Sequence, residues 1–430
     1  MTGLVNTPQS ELPNSPTSYA EVHQMVTELA HQQNDISKKD HQVQEHTQVV
    51  DELRNTGDMI SALGAIVKYN IDGKPMSPFQ SSLMKNALWH SGSISQEAYN
   101  SDTVISMESL RKILADIWVA IKNSLKRLLE RLIDFLTTYY GMLNTVEDLA
   151  LKLKAILKEN NWQTVTVTSF PSSNARKIAV GGKLKSTWVE DVARTLTVLA
   201  DSDKNVIDAI GDFNLRATDQ VIKTLKTDKL PDFNWGVLSG TIGTLRRTMA
   251  ATVARYGVTS YTKPFGVETY YCSGVLPGEW QLGCKQIPIQ NANSQHEAAR
   301  AIIEGMGDQY FVILSKEQTG PDALPLPSLN VIESACDDII EVVTVLKDST
   351  RKLDVDLNDA LKKSIDTIDG LMHRIQGSTE IKDREAVDFV MRATQISSKL
   401  SRPYLQVLGN ILPAYTRALL QCVLIYRDGA

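Results

Sequence analysis

The chain has 430 residues, is 42% hydrophobic and 22% charged, and carries a net charge of −5. That leaves room for two or three domains and a sizeable core, and it argues against a protein that binds nucleic acid by wholesale neutralisation of phosphate. No run of eighteen uncharged apolar residues occurs and MTGLVNTPQSELPNSPTSYA at the start lacks basic and apolar signal regions, so neither a transmembrane helix nor a signal peptide is expected, and synthesis in the cytoplasm is.

Charge is uneven along the chain. Residues 1–108 hold six Lys or Arg and thirteen Asp or Glu, a net of −7, whereas the rest hold 39 against 37, a net of +2. Five histidines, His23, His31, His41, His46 and His90, lie in that acidic front quarter. Only His296 and His373 lie beyond it, which is thin material for general acid–base chemistry. The four cysteines, Cys272, Cys284, Cys336 and Cys422, form no CxxC pair and are expected to be free, buried thiols.

Residues 1–18, rich in Pro, Ser, Thr and Asn, are expected to be disordered. From Tyr19, Val22, Leu29, Ile36, Val43 and Val50 recur every seven residues with mostly polar positions between them. This predicts a lean coiled-coil helix running into the apolar patch that ends at Val67, marginal alone and ordered by a partner. Ser77-Pro78 opens a short helix through Phe79, Leu83 and Leu88. A polar segment, LWHSGSISQEAYNSDTVISMES, then carries one pattern twice. Ile94-Ser95-Gln96-Glu97 precedes Ala98, and Ile105-Ser106-Met107-Glu108 precedes Ser109. Both copies lie where charge and composition change, in sequence that a protease binds as an extended strand.

The second copy ends where an amphipathic helix is predicted, over 109–136. Leu110, Ile113, Leu114, Ile117, Trp118, Ile121, Leu125, Leu128, Leu129, Leu132 and Leu136 recur at steps of three and four, and the opposite face holds six cations against three acids. Such a stripe needs a partner surface, protein or lipid, with packing inside its own domain an equal alternative. Further helix is predicted over 143–158, a strand over 162–168, and a short strand at 177–180 before a Gly181-Gly182 turn. Helices are expected over 186–225 and 235–256, then a hairpin of 267–275 and 280–289 about the turn 276–279. A helix over 294–305 and an apolar strand over 310–314 follow. Beyond a linker at 319–327 the chain reads as helical to its end, through 332–346, 357–375 and 385–426, with breaks at Pro403 and Pro413.

The predicted fold is mainly α with a small mixed β-sheet region (α+β). Its divisions are a disordered start (1–18), an acidic helical leader with the repeated motif (19–108), amphipathic helices (109–160), a mixed α+β domain (161–318) and a helical C-terminal domain (319–430). Motifs for chemistry are weak. His296-Glu297 has no second histidine one turn on, and Gly181-Gly182 and Gly240 with Gly243 lack the lysine and spacing of a phosphate loop. Asp337-Asp338 near Glu333 reads as a solvated helix face ahead of a divalent-cation site. No catalytic residue, cofactor or metal is expected.

An acidic helical leader, a Ser-any-Glu motif before a small residue and a Trp- and Leu-containing amphipathic helix directly after it resemble the internal head (inner-body) proteins of phiKZ-like giant bacteriophages. The Leu-Pro-Gly turn at 276–278, Leu326-Pro327 ahead of a helix, and the helical C-terminus extend the resemblance less specifically. It implies a non-enzymatic virion structural protein of the capsid interior, made in the bacterial host as a precursor and cleaved by the prohead protease. Carried over by motif, Glu97 and Glu108 precede the cut bonds, Ser95 and Ser106 stand two positions upstream, and Ala98 and Ser109 become new N-termini. A cut after Glu108 leaves residues 109–430, with the amphipathic face from Leu110 to Leu132 at the chain end. The implied partners are other capsid or inner-body proteins, the protease, packaged DNA, and a membrane surface if the protein is ejected with the genome. Two other readings stay open: a membrane-active helical effector or pore-forming protein, and an enzyme with a carboxylate site within 162–315.

Overall fold

The computed structural model describes residues 19–70, 82, 85, 107–158, 162–225, 243–244, 247–248, 251, 261–265, 268–285, 310–314, 320–375 and 381–428. Within them run α1 (Tyr19–Asn70), α2 (Met107–Leu157), β1 (Ser169–Pro171), α3 (Ala175–Ile178), α4 (Trp188–Leu225), β2 (Tyr261–Phe265), β3 (Glu268–Cys272), β4 (Trp280–Lys285), β5 (Tyr310–Leu314), β6 (Ala323–Pro325), α5 (Leu329–Ile375) and α6 (Ile381–Asp428). The chain is mainly helical with a small β component. β1 and β6 form an antiparallel ribbon, and β2, β3, β4 and β5 form an antiparallel sheet in chain order.

Five long helices share one core that extends from Leu29 to Val423. Their directions follow from the pairs between them. Lys154 meets Asp337 and Lys347 meets Glu147, so α2 and α5 run antiparallel. Lys352 meets Asp208 and Gly211 lies against Asp356, so α4 and α5 run parallel. The described C-terminal part of α6 is central because it is buried on nearly every side: Tyr404, Leu405, Val407, Leu408, Ile411, Leu412, Tyr415, Leu419 and Val423 are all fully buried. Tyr415 donates to the Val189 carbonyl at 2.9 Å and meets the Trp188 ring edge-on, 5.9 Å between centroids. The Trp188 indole N–H in turn donates to the Pro325 carbonyl at 2.9 Å, which ties the ribbon to the start of α4.

Several expectations are corrected. Residues 162–168 are not a strand. Their alternation finds no ladder, only Gln163 N–H to the Tyr426 carbonyl and the Leu326 N–H to the Thr168 carbonyl, and pairing begins at Ser169. Residues 177–180 do not form a strand: Lys177 and Ile178 end the short helix α3, and Val180 makes only an isolated bridge to Lys183, although Gly181 and Gly182 do turn, at φ 59° and 70°. The hairpin pairs β3 with β4 around a 3-10 turn at Pro277–Glu279; its first strand ends at Cys272, short of the predicted 275, residues 286–289 of the predicted second strand lie outside the described residues, and β2 adds a strand that was not anticipated. α5 is one helix rather than two, and α6 passes both Pro403 and Pro413 without a break.

Of the helix predicted at 235–256, residues 243–244, 247–248 and 251 are helical, and of the one opened by Ser77-Pro78, residues 82 and 85 are; the remainder of both, with the 1–18 and 294–305 expectations, lies outside the described residues. No eighteen-residue apolar run was found in the sequence, yet Tyr404–Arg427 has the length and mean hydropathy, 1.3, of a membrane span, and 72% of it is buried in the bundle. Cys336 and Cys422 are free and buried, and burial pushes both thiols up to about 12.

Candidate functional site: the seat of the N-terminal helix

The heptad positions of α1 have found their partner within the chain. Leu29, Ile36 and Val43 are buried, and α1 packs chiefly on α2 and secondarily on α6. The register is read from polar contacts that flank the apolar seam. Glu21 meets Lys152 at 3.4 Å, Lys39 donates to Asp134 at 2.9 Å and to Thr138 at 2.6 Å, and Gln42 accepts from Arg131 at 3.3 Å. Numbers rise on α1 as they fall on α2, so the helices are antiparallel. The acidic N-terminal helix thus lies on the helix with the basic polar face. Exposed pairs of this kind contribute little each, so most of the holding free energy comes from the buried seam.

On its other side α1 uses a defect in α6. Pro413 has no N–H, so the carbonyl of Gly409, four residues earlier, lacks its helical donor. Gln33 Nε2 reaches that carbonyl at 3.5 Å and the Asn410 carbonyl at 3.3 Å, while Gln33 Oε1 accepts from Arg417 Nη2 at 2.9 Å. One amide therefore satisfies both the proline defect and a cation.

Beneath the seat lies a buried polar layer. Tyr139 of α2, Ser202 and Asp203 of α4, and Ser349 and Thr350 of α5 are each at most 3% exposed, and their side-chain oxygens have no hydrogen-bond partner among the described residues. Burial pushes the Asp203 carboxyl up to about 8, so it is protonated at neutral pH. Tyr139 is held well above the usual phenol range, by burial first and by the Asp203 charge second.

The predicted interaction residues divide here. Leu125, Leu128, Leu132 and Leu136 are buried in the bundle. Leu110, Ile113, Leu114, Ile117, Trp118 and Ile121 belong to α2, but their side chains lie outside the described set. Ser95, Glu97, Ala98 and Ser106 also lie outside it. The Glu108–Ser109 bond falls in the first turn of α2, a position that frays readily. Asp337, weighed as a cation ligand, pairs with Lys154 instead. Among the described residues no three His, Cys, Asp or Glu side chains gather as a metal site would require. Gln33, Arg417 and Asp203 were not singled out from sequence. The Gly409 to Pro413 spacing was the one available signal, since it marks a freed carbonyl.

A family model described as phiKZ-like phage internal head proteins matches residues 21–419. No curated protein and no solved structure matches the chain.

Proposed function

The chain belongs to the phiKZ-like phage internal head proteins, and on that premise we propose that it enters the head as a precursor whose first 108 residues are a leader, seated through α1 and released by the prohead protease. Family membership places it inside the phage head among other virion components. The observation that carries the finer reading is the seat itself. An acidic helix is held on the body by a buried apolar seam and a few polar contacts, and the peptide chain at Glu108–Ser109 joins it to that body.

The tether matters energetically. While α1 is covalently attached, its effective concentration at the seat is about millimolar or higher, and a modest seam keeps it docked. Cutting after Glu108 turns the same contact into a bimolecular one, so the leader dissociates on dilution. Departure removes a net −7 from the protein, which lowers repulsion toward packaged DNA, and uncovers the α2 surface that the Leu29, Ile36 and Val43 seam packs on, for a capsid or inner-body neighbour. In this reading the protein is structural, with no catalytic role.

Exposure of the full chain to the prohead protease is expected to shorten it by the leader, with Glu108→Gln blocking that cut or diverting it to Ala98. An unchanged length, or an undiminished cut in the variant, contradicts the reading. The membrane-active alternative draws on one observation, the membrane-length apolar stretch Tyr404–Arg427. Reaching a bilayer would require the bundle to open, and flotation of the processed but not the full chain with liposomes would favour it.

A further inference from the structure

We propose that a half-open cleft of about 320 Å³ between α1, α3 and α6 is a binding site for a phosphate group. His23 stands on the α1 wall, Asn174 and Lys177 on the α3 wall, and Arg417 and Gln421 on the α6 wall, and none of the lining side chains is acidic. Its two charged lining side chains, Lys177 and Arg417, are both donors. Gln421 Oε1 is already taken by Ser172 Oγ at 2.6 Å and Asn174 Nδ2 at 3.3 Å, which leaves the NH2 end of that amide as its remaining polar group. Arg417 spends Nη2 on the neutral Gln33, and its buried Nε has no partner among the described residues. Neither Lys177 nor Arg417 is paired with a carboxylate among the described residues.

Two partly dehydrated cations side by side are a costly arrangement unless an anion sits between them. Burial, and then the neighbouring Arg417, push the Lys177 ammonium below its usual range, and burial does the same to Arg417. The lysine is also firmly placed. Its N–H donates to the Asn174 carbonyl at 3.0 Å, and its own carbonyl abuts Gly278, where a Cβ would sit 2.7 Å away and where φ is +74°. Gly278 N–H donates to the Ala179 carbonyl at 2.9 Å, so the 3-10 turn braces α3. Donors converge from two walls, a guanidinium, an ammonium and an amide. That set suits a tetrahedral oxyanion with acceptors on every side better than a planar carboxylate. The source of the phosphate is either a free small phosphate or the backbone of DNA. The α1 wall belongs to the segment that the proposed processing would remove, so the site as described is one of the full chain.

The test titrates the full chain with inorganic phosphate at constant ionic strength, read by calorimetry and by thermal melting. Saturable binding and a raised melting temperature are expected. Lys177→Gln should weaken that binding about tenfold or more and leave the phosphate-free melt no lower than the parent's, because a like-charge contact is removed. Displacement of phosphate by a short DNA duplex would assign the site to backbone phosphates. Retention of phosphate in the presence of the duplex would assign it to a free phosphate ligand. Absence of any effect beyond that of chloride, or equal binding by Lys177→Gln, would overturn the proposal.

Discussion

Asp203→Asn is expected to stabilise the protein by about 2–5 kcal/mol at pH 8 and to change it little at pH 4. The carboxyl of Asp203 is fully buried and has no hydrogen-bond partner among the described residues. In the folded chain it titrates at about 8, and in the unfolded chain at about 3.9. Between those values the native state keeps a proton that the unfolded state has released. Stability therefore falls as pH rises through the window, by up to about 1.4 kcal/mol per pH unit, and the loss is complete above the folded value. Asparagine is neutral in both states and escapes that dependence, while its unpaired amide costs much the same as the unpaired carboxylic acid. Urea unfolding of parent and variant from pH 4 to 8 checks this. A gap that does not widen with pH would show that Asp203 finds a partner when ionised.

The second large effect concerns the seam under α1. Leu29→Ala, Ile36→Ala and Val43→Ala together should remove about 5–10 kcal/mol of packing from the seat, since each buried truncation loses transfer free energy and leaves a cavity. The three side chains are 0%, 6% and 0% exposed. The remaining polar contacts, Glu21 with Lys152, Lys39 with Asp134 and Thr138, Gln42 with Arg131, and Gln33 with α6, are mostly exposed and too weak to hold the helix. Limited proteolysis of the triple variant should then digest α1 while the α2, α4, α5 and α6 core survives, because that core has its own buried residues on all four helices. Protection of α1 equal to the parent's would mean that its polar contacts, not its seam, do the holding.

The helical fold was legible because apolar spacing at three and four marks a buried face whatever that face packs against. Leu125 to Leu136, Trp188 to Ile210 and Ile332 to Leu346 all show it. The split of α5 was misread because Lys347 to Leu357 is polar on average; Ser349, Thr350 and Leu353 nevertheless keep the buried face continuous. Pro413 suggested a break because a lost backbone hydrogen bond was counted, while the side chain that answers it, Gln33, lies 376 residues away from Gly409. The heptad of α1 announced a partner but did not identify α2. Asp203, Lys177 and Arg417 were opaque for a related reason. A charged residue in sequence reads as solvated, and only the helices packed around it reveal that it is buried or left beside a like charge.

The central claim, that the N-terminal region is a removable leader, is tested most directly by terminal-peptide mass spectrometry of this polypeptide taken from mature particles. A start at Ser109, or at Ala98 if the upstream copy of the motif is used, is the result the account predicts. A start at residue 1 or 2 would contradict it, and α1 would then be a permanent helix of the bundle.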